Sequence, residues 1–348
     1  MVEGGTGGVE LVDPARLGQW MDQQGLPGDG DLPQVERLSG GSQNELFAVS
    51  RGGEELVLRR PPDVTAPGRA EAFSREHRVL AALAGTDVPH PRLSGVCDDP
   101  DVLGGPFYLT ERVDGWSPMQ TKGWPAPFDT DLDARAGLAV QLIDGIARLA
   151  RVDWKAAGLE GFGRPEGFHD RQVDRWLAFL ERVKTRELPG VEVAADWLRR
   201  HRPQVYEPGI LHGDYQFANV MFRHGAPARL AAIVDWEMAT VGDPLLDLGW
   251  ALIGYPADDN PSATGMGYVD LTGMPPRADL LAHYEAVSGR PTQDLPYYLI
   301  LARFKLGIVL EQSVARLAAG QADERVAAFP AVVLDLIAGA AELAERTP

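Results

Sequence analysis

The stretch LHGDYQFANVMF at positions 211–222 places a histidine, an aspartate and an asparagine inside an apolar frame. Leu211 at one end and Val220 to Phe222 at the other favour burial, so the polar residues between them lie near a core. Buried polar groups need hydrogen-bond partners. The question is whether these partners belong to the protein or to a ligand.

The residues that follow predict a β-hairpin. NVMF (219–222) and RLAAIVDW (229–236) are short β runs, and the turn RHGAPA (223–228) separates them. If the two strands pair, the loop before the first strand and the end of the second strand lie at the same end of the hairpin. This pairing brings together two carboxylates and one amide oxygen, from Asp214, Asn219 and Asp235.

That group of oxygens suits phosphoryl transfer. Mg²⁺ prefers hard oxygen ligands, and a further carboxylate must orient the attacking hydroxyl and accept its proton. An aspartate, four residues, an asparagine and a later metal-binding aspartate is the order found in kinases. Taken singly, His212 is better explained as a core histidine, Asp214 as a loop cap and Asp235 as a turn residue. Together, with the hairpin, they indicate a catalytic site.

The chain on either side predicts an α+β fold with two lobes. Alternating patterns predict strands at 33–39, 45–50, 55–60, 91–96 and 106–113, with a helix at 69–83 before the last two. We expect a small antiparallel sheet with one helix packed on it. Residues 1–32 are interpreted as a flexible leader and N-terminal helix, 33–113 as a nucleotide-binding lobe and 114–348 as the larger lobe.

The larger lobe reads as mostly helical around the central hairpin. Leu138, Leu142, Ile146 and Leu149 share one helix face. Further helices are predicted near 191–205, 277–288, 296–316 and 326–345. The Gly/Pro/Asp-rich stretch 255–276 predicts a long loop of the kind that forms lids.

Composition restricts the class of protein. The formal net charge of −17 argues against nucleic acid or an anionic membrane as a partner, and would suit a cationic substrate. Cys97 is the only cysteine, so an internal disulfide is excluded. No apolar run reaches the ~18 residues of a membrane span. We expect a cytoplasmic globular protein, either a monomer or a homodimer.

One carboxylate in the N-terminal lobe calls for a cation. Glu76 follows Phe73 by three residues and precedes Leu80 by four, so it shares the core-facing stripe of its helix. A carboxylate on a buried face needs a positive partner.

The glycine turn in SGGSQNELFAV (39–49) would bring backbone N–H groups near phosphates, with Ser42 and Asn44 as side-chain contacts. An ordinary hairpin turn explains this stretch equally well.

These motifs resemble those of the aminoglycoside phosphotransferases and the choline-kinase-like small-molecule kinases, which have a protein-kinase-like fold. LHGDYQFANVMF is similar to their catalytic loop, and IVDWEMATVGDPLLDLGW (233–250) to their metal-binding segment. The resemblance implies Asp214 as catalytic base and Asn219 and Asp235 on Mg²⁺. It implies His212, Asp243 and Asp247 as structural supports of the site.

The resemblance also implies a nucleotide site. In the family a third-strand lysine pairs with the helix glutamate, here Glu76, and with the phosphates. This chain has Arg59 in the strand LVLRRPP, where the lysine is expected. Arginine can bridge a carboxylate and a phosphate bidentately. Backbone groups at Glu111 to Val113 would contact the adenine.

The predicted activity is therefore transfer of the γ-phosphoryl group of ATP, with GTP as the alternative, to a hydroxyl of a small molecule. Aminoglycoside-like compounds, amino alcohols, sugars and hydroxyacyl metabolites are the candidate acceptors. LRRPP is similar to the third strand of kinase-like domains that accompany acyl-CoA dehydrogenases.

The alternatives to a kinase are a catalytically inactive nucleotide-binding module and, less well supported, a metal-dependent hydrolase. Trp236-Glu237 after Asp235, and no evident activation segment, disfavour a protein substrate.

Overall fold

The computed structural model describes residues 12–38, 44–62, 69–121, 123–256, 269–321 and 326–347, and its N-terminal lobe is built on one sheet. The strands are β1 (Gln34–Arg37), β2 (Glu45–Arg51), β3 (Glu54–Arg60), β4 (Leu93–Cys97) and β5 (Phe107–Glu111). All pairs are antiparallel, in the order β1-β2-β3-β5-β4. Gly52 and Gly53, with φ of 58° and 80°, form the tight turn between β2 and β3. The predicted antiparallel sheet is confirmed.

The two faces of this sheet are covered by different helices. Leu56 and Leu58 of β3 pack in one cluster with Leu17 and Met21 of helix α1 (Pro14–Gln23). Because side chains alternate along a strand, Arg59 points to the opposite face, where it meets helix α2 (Arg69–Leu83). The predicted helix at 69–83 is confirmed, and α1 is a second helix on the other face.

The connection between the lobes is pressed against the central hairpin. Trp116 exchanges backbone hydrogen bonds with Phe222, at 2.9 Å and 2.8 Å. A Cβ atom on Gly115 would lie 2.6 Å from the carbonyl oxygen of Phe222, so only glycine fits. This contact ties the end of the N-terminal lobe to the first strand of the central hairpin.

Helices make up most of the second lobe. The predicted stripe of Leu138, Leu142, Ile146 and Leu149 is buried, and each such side chain contributes about 1.5–3 kcal/mol. The helix predicted at 191–205 ends at Arg200, shortly before Pro203, which disfavours helical backbone in the residue before it. The helices are α3 (Pro100–Leu103, within the first lobe), α4 (Pro118–Thr121), α5 (Leu132–Arg151), α6 (Phe168–Val183), α7 (Val191–Arg200), α8 (Leu245–Ala251), α9 (Arg277–Ser288), α10 (Leu295–Ala318) and α11 (Phe329–Arg346). Across the described ranges, no helix combines the length and apolarity that a bilayer crossing requires.

The predicted hairpin is present at the centre of this lobe. Strands β6 (Gly209–Leu211), β7 (Val220–Phe222), β8 (Leu230–Ile233) and β9 (Thr240–Gly242) form two antiparallel pairs, β7 with β8 and β6 with β9. Val220 faces Ile233, so the loop before β7 and the residues after β8 meet at one end. The β6–β9 pair was not predicted. Most of the predicted lid loop, 257–268, lies outside the described residues.

Candidate active site

The loop between β6 and β7 is fixed by the fully buried imidazole of His212. Its Nε2 lies 2.8 Å from the carbonyl oxygen of Val234, and its Nδ1 accepts the N–H of Asp214 at 3.3 Å. These two contacts require the neutral tautomer with the proton on Nε2. His212 therefore connects this loop to the end of β8, and both of its ring nitrogens are used by backbone groups.

Asp247 holds the same loop from the other side. Its carboxylate accepts the backbone N–H of His212 at 2.6 Å and that of Gly213 at 2.9 Å. Gly213 has φ of 87°, and a Cβ there would lie 2.4 Å from the carbonyl oxygen of Met238. The backbone between His212 and Asp214 is thus held in one conformation that only glycine accommodates at its centre.

Three N–H donors surround the carboxylate of Asp214. Oδ1 accepts from Gln216 Nε2 at 2.7 Å and from Trp250 Nε1 at 2.9 Å, and Oδ2 accepts from Asn219 Nδ2 at 2.8 Å. Burial raises the pKa of Asp214, whereas Lys305 and the bond from Asn219 lower it. The donors fix the orientation of a partly buried carboxylate at the mouth of the loop.

Asn219 and Asp235 meet at the same end of the hairpin. The amide nitrogen of Asn219 donates to Asp214, which leaves its oxygen Oδ1 as the acceptor atom. The N–H of Val234 donates to the carbonyl oxygen of Asn219 at 2.9 Å, so the two segments are joined next to Asp235. Asp235 has φ of 67° and ψ of 63°, the left-handed region that few residues other than glycine adopt.

Arg59 bridges the two lobes. It contacts Glu76 Oε2 at 2.9 Å through Nε, and Asp235 Oδ1 at 3.0 Å through a terminal nitrogen. Burial lowers the pKa of Arg59, but the fields of Tyr108, Glu76 and Asp235 more than compensate, so its pKa lies above the ordinary value. The guanidinium stays charged and pairs with both carboxylates.

Glu76 is almost fully buried, at 2% exposure, and three side chains satisfy it. Besides Arg59, Tyr108 donates its hydroxyl at 2.7 Å and Asn44 its amide at 3.2 Å. Burial raises the pKa of Glu76 above its ordinary value, and Arg59 and Tyr108 offset only part of this rise. The place of Glu76 on the buried face of its helix predicted a cationic partner. That partner is Arg59.

A third carboxylate, Glu237, was not among the predicted site residues. Carboxylate oxygens of Glu76, Asp235 and Glu237 lie within 4.8 Å of one another. Burial, followed by the charges of Asp235 and Glu76, raises the pKa of Glu237 to about 7. Its position two residues after Asp235 was the available signal. The oxygens of this group and of Asn219 are hard donors, which fit Mg²⁺ and not a soft metal.

Asp243 braces the start of α8. Its Oδ1 accepts the N–H of Leu245, the first residue of the helix, at 3.1 Å. Its Oδ2 lies 2.9 Å from His169 Nε2 and also accepts the hydroxyl of Tyr298. These bonds join α6, α8 and α10 beneath the catalytic loop.

Lys305 is the second site residue that was not predicted. It is 5% exposed, donates to the carbonyl oxygen of Gly213 at 2.7 Å, and lies 4.4 Å above the ring of Trp250. Burial lowers the pKa of Lys305 to about 8, against the opposing fields of Asp214 and Asp247. Its place between the apolar residues Phe304 and Leu306 of α10 was the signal for it.

The pKa of Lys305 predicts how stability varies with pH. Between about pH 8 and 10.5 the unfolded chain keeps the Lys305 proton and the folded chain does not, so the free energy of unfolding rises with pH in this window. The full difference corresponds to about 3 kcal/mol. We expect the difference in unfolding free energy between wild type and Lys305→Met to change with pH, as measured by urea unfolding from pH 7 to 10. A pH-independent gap would contradict the prediction.

The remaining predicted residues lie around this centre or outside it. Asn44 contacts Glu76 and is oriented toward the helix. Glu111 and Val113 lie at the end of β5, where the N–H groups of Glu111 and Arg112 donate to carbonyl oxygens of Arg92 and Glu55. Ser42 lies outside the described residues. The structure thus brings Asp214, Asn219, Asp235, Arg59 and Glu76 into one connected group.

Comparison with known proteins places this group in a family. The profile of the phosphotransferase enzyme family matches residues 34–291. Acyl-CoA dehydrogenase family member 11 of Gallus gallus is 31% identical, over 92% of this chain and 42% of that protein. The chain spans less than half the length of the curated relatives it matches.

Two solved structures have the same fold. A protein of Ralstonia eutropha JMP134 assigned to the aminoglycoside phosphotransferases is 30% identical, with a TM-score of 0.80 over 96% of this chain and 98% of that chain. A thermostable mutant of aminoglycoside phosphotransferase APH(4)-Ia, in a ternary complex with ADP and hygromycin B, is 18% identical, with a TM-score of 0.55 over 90% of this chain and 96% of that chain.

The family match covers the sheet, the loop between β6 and β7, and the hairpin, which are the elements that carry the connected group. With its protein-kinase-like fold, this chain belongs to the phosphotransferase enzyme family.

Proposed function

We propose that the protein transfers the γ-phosphoryl group of ATP, or of GTP, to a hydroxyl of a small molecule. The observation that carries this proposal is the carboxylate of Asp214, oriented by three N–H donors at the hairpin end that also holds Asn219 and Asp235. A fixed carboxylate beside hard metal ligands is the arrangement that phosphoryl transfer requires.

Asp214 would act on the acceptor. Its carboxylate accepts a hydrogen bond from the acceptor hydroxyl, aims the oxygen at the γ-phosphorus and takes the proton as the new O–P bond forms and the bond to the nucleoside diphosphate breaks. Trp250 and Gln216 hold Oδ1 during this transfer, so the carboxylate does not rotate away. Positioning of this kind supplies much of the rate in phosphoryl transfer.

Asn219 and Asp235 would hold the magnesium of the magnesium–nucleotide complex, with Glu237 close by. When bound, the ion neutralises charge that develops on the phosphates. The free oxygen of Asn219 and the 41% exposed side chain of Asp235 are suitable donors. Arg59 contacts Asp235 from the N-terminal lobe and is placed to shift onto a phosphate oxygen.

The nucleotide base would bind at the end of β5. Among the described residues, the backbone N–H of Val113 donates to no protein acceptor, whereas those of Glu111 and Arg112 are used in the sheet. An unused N–H at this edge suits a ring nitrogen of adenine. The solved neighbour with the same fold was crystallised with ADP, which supports nucleotide binding by this chain.

One alternative has its own observation. Arg59, in place of lysine, pairs directly with Asp235, and an ion pair that persists with nucleotide bound would produce an inactive nucleotide-binding module. The intact set of Asp214, Asn219 and Asp235 favours the enzyme. A hydroxylated acyl metabolite, an amino alcohol, a sugar and an aminoglycoside-like compound are the candidate acceptors.

The first test is nucleotide binding by calorimetry, with ATP and GTP, each with and without Mg²⁺. We expect Mg²⁺-dependent binding that is lost in Asp235→Asn, since asparagine keeps the size and tolerates the left-handed backbone but removes the charge. Asp279→Asn, an exposed aspartate on α9, is the matched control. Binding that is equal with and without Mg²⁺ would remove Asp235 from the metal role. No binding at all would end the kinase proposal.

A further inference from the structure

A cavity of about 780 Å³ opens beside the catalytic loop, on the side of α6. Gly213, Glu237 and Lys305 line its inner end, and the segment 161–164 with the first turns of α6 lines its outer part. The inner end is formed by the loop that carries Asp214. Asp214 itself does not line the cavity, so an acceptor bound here would have to extend past Gly213 to reach its carboxylate.

The wall of this cavity is more basic than the protein as a whole. Its lining contains five cationic and three acidic side chains, in a chain whose net charge is −17. The cationic residues are Arg75, Arg164, Arg171, Arg175 and Lys305, and the acidic residues are Asp170, Asp174 and Glu237. Since the overall charge repels anions, a basic wall in one cavity marks a local preference.

Two of the three acids are paired with arginines that do not line the cavity. Asp170 contacts Arg202 at 2.8 Å, and Asp174 contacts Arg199 at 2.8 Å. Their charge is therefore offset from outside the cavity. The acids do not neutralise the basic side chains that line it.

The outer arginines differ in what they already bind. Arg171 donates to the carbonyl oxygens of Glu166 and Arg164 and so braces the loop before α6. Arg75 lies 4.2 Å above the ring of Phe162. Arg164 and Arg175 are exposed, and in the part of the chain that the structure describes neither forms an ion pair with a carboxylate. Arg175 lies 5.4 Å above the ring of Trp176, a contact that leaves its N–H donors open to an anion.

We infer that the acceptor carries an anionic group, a carboxylate or a phosphate, which Arg164 and Arg175 bind while the acceptor hydroxyl meets Asp214. This rests on the proposed function and names the acceptor class. Guanidinium groups bind both anions with paired, charge-assisted hydrogen bonds. A polycationic acceptor such as an aminoglycoside would meet like charge in the same cavity, so its binding is disfavoured.

The test compares anionic, neutral and cationic alcohols in wild type, Arg164→Gln, Arg175→Gln and the double variant. Glycerol 3-phosphate and 3-hydroxybutyrate are the phosphate and carboxylate probes, glycerol is neutral, and choline and ethanolamine are cationic. Arg182→Gln, an exposed arginine of α6 that does not line the cavity, is the matched control. Turnover is followed by phosphorylated product, and binding by calorimetry with a non-hydrolysable ATP analogue and Mg²⁺ present.

We expect the wild type to prefer one of the anionic probes, and the double variant to weaken its binding and raise its KM by about tenfold or more, as loss of charge-assisted bonds predicts. The affinity should fall as salt is added, and Arg182→Gln should behave as wild type. Tighter binding of choline or ethanolamine than of both anions, or anion binding that is unchanged in the double variant, would overturn the inference. So would failure of both anions to bind at millimolar concentration.

These outcomes can be distinguished from a failure of the proposed function. If the nucleotide binds and cationic acceptors are phosphorylated, the kinase stands and only the anionic class is wrong. If no nucleotide binds, the proposed function fails, while the binding of glycerol 3-phosphate to wild type and to the double variant still decides whether the cavity selects anions.

Discussion

Replacement of Asp214 by alanine is expected to lower kcat by roughly 10²–10⁴-fold, the contribution typical of a positioned general base. The reason is that the acceptor hydroxyl loses the group that orients it and takes its proton. Nucleotide binding should be nearly unchanged, because Asn219 and Asp235 remain. The measurement is steady-state turnover with the best acceptor, alongside calorimetry with Mg²⁺ and ATP.

The controls separate lost chemistry from lost structure. Asp214→Ala leaves the N–H groups of Trp250 and Gln216 without their acceptor, at a cost of about 1–3 kcal/mol in unfolding free energy, so melting temperatures must be compared. Asp214→Asn, which keeps the shape, should be equally inactive with a smaller loss of stability. Turnover within threefold or so of wild type in a folded variant would remove Asp214 from the role of base.

Replacement of Arg59 by methionine is expected to weaken both the fold and the nucleotide site. It leaves Glu76, buried at 2% exposure, without a cation, and loss of one partner of a buried pair costs about 3–5 kcal/mol. Arg60→Met is the matched control, since Arg60 is the next residue of β3 and points to the other face, where it donates to the carbonyl oxygen of Leu103. Urea unfolding and ATP affinity measure the two effects.

Arg59→Lys tests whether a positive charge alone is sufficient at this position. Lysine keeps a positive charge beside Glu76, but it lacks the forked guanidinium that contacts Glu76 and Asp235 together. We expect it to fold and to bind Mg²⁺ and ATP with an affinity close to that of wild type. If Arg59→Met were as stable and bound ATP as tightly as Arg60→Met, the proposed role of Arg59 would be contradicted.

The central hairpin was predictable because its signals are local. Alternating apolar residues, a Gly/Pro turn and the spacing of Asp214, Asn219 and Asp235 lie within 25 residues or so of sequence, and the pairing of Val220 with Ile233 follows from them. The core-facing position of Glu76 was likewise readable from helix periodicity. The neighbouring strand β3 supplies its cationic partner, Arg59.

Two supports of the site, Lys305 and Trp250, were not predicted because they are distant in sequence from the loop that they contact. Lys305 donates to Gly213 from α10, and Trp250 donates to Asp214 from α8. Periodicity shows that a residue is buried, but it does not show which loop the residue meets. The β6–β9 pair was missed for another reason: strands of three residues are too short for an alternating pattern to be recognised.

The backbone of Asp235 restricts which residues can replace it without strain. Asparagine and glycine tolerate its left-handed conformation, whereas alanine or valine there adds about 1–2 kcal/mol of backbone strain to the loss of the carboxylate. A lineage that abandons catalysis while keeping its fold would drift toward asparagine or glycine at this place. The residue at this position in a relative therefore reports on two properties. One is whether the carboxylate that would bind a metal is kept, and the other is whether the left-handed turn after β8 is kept.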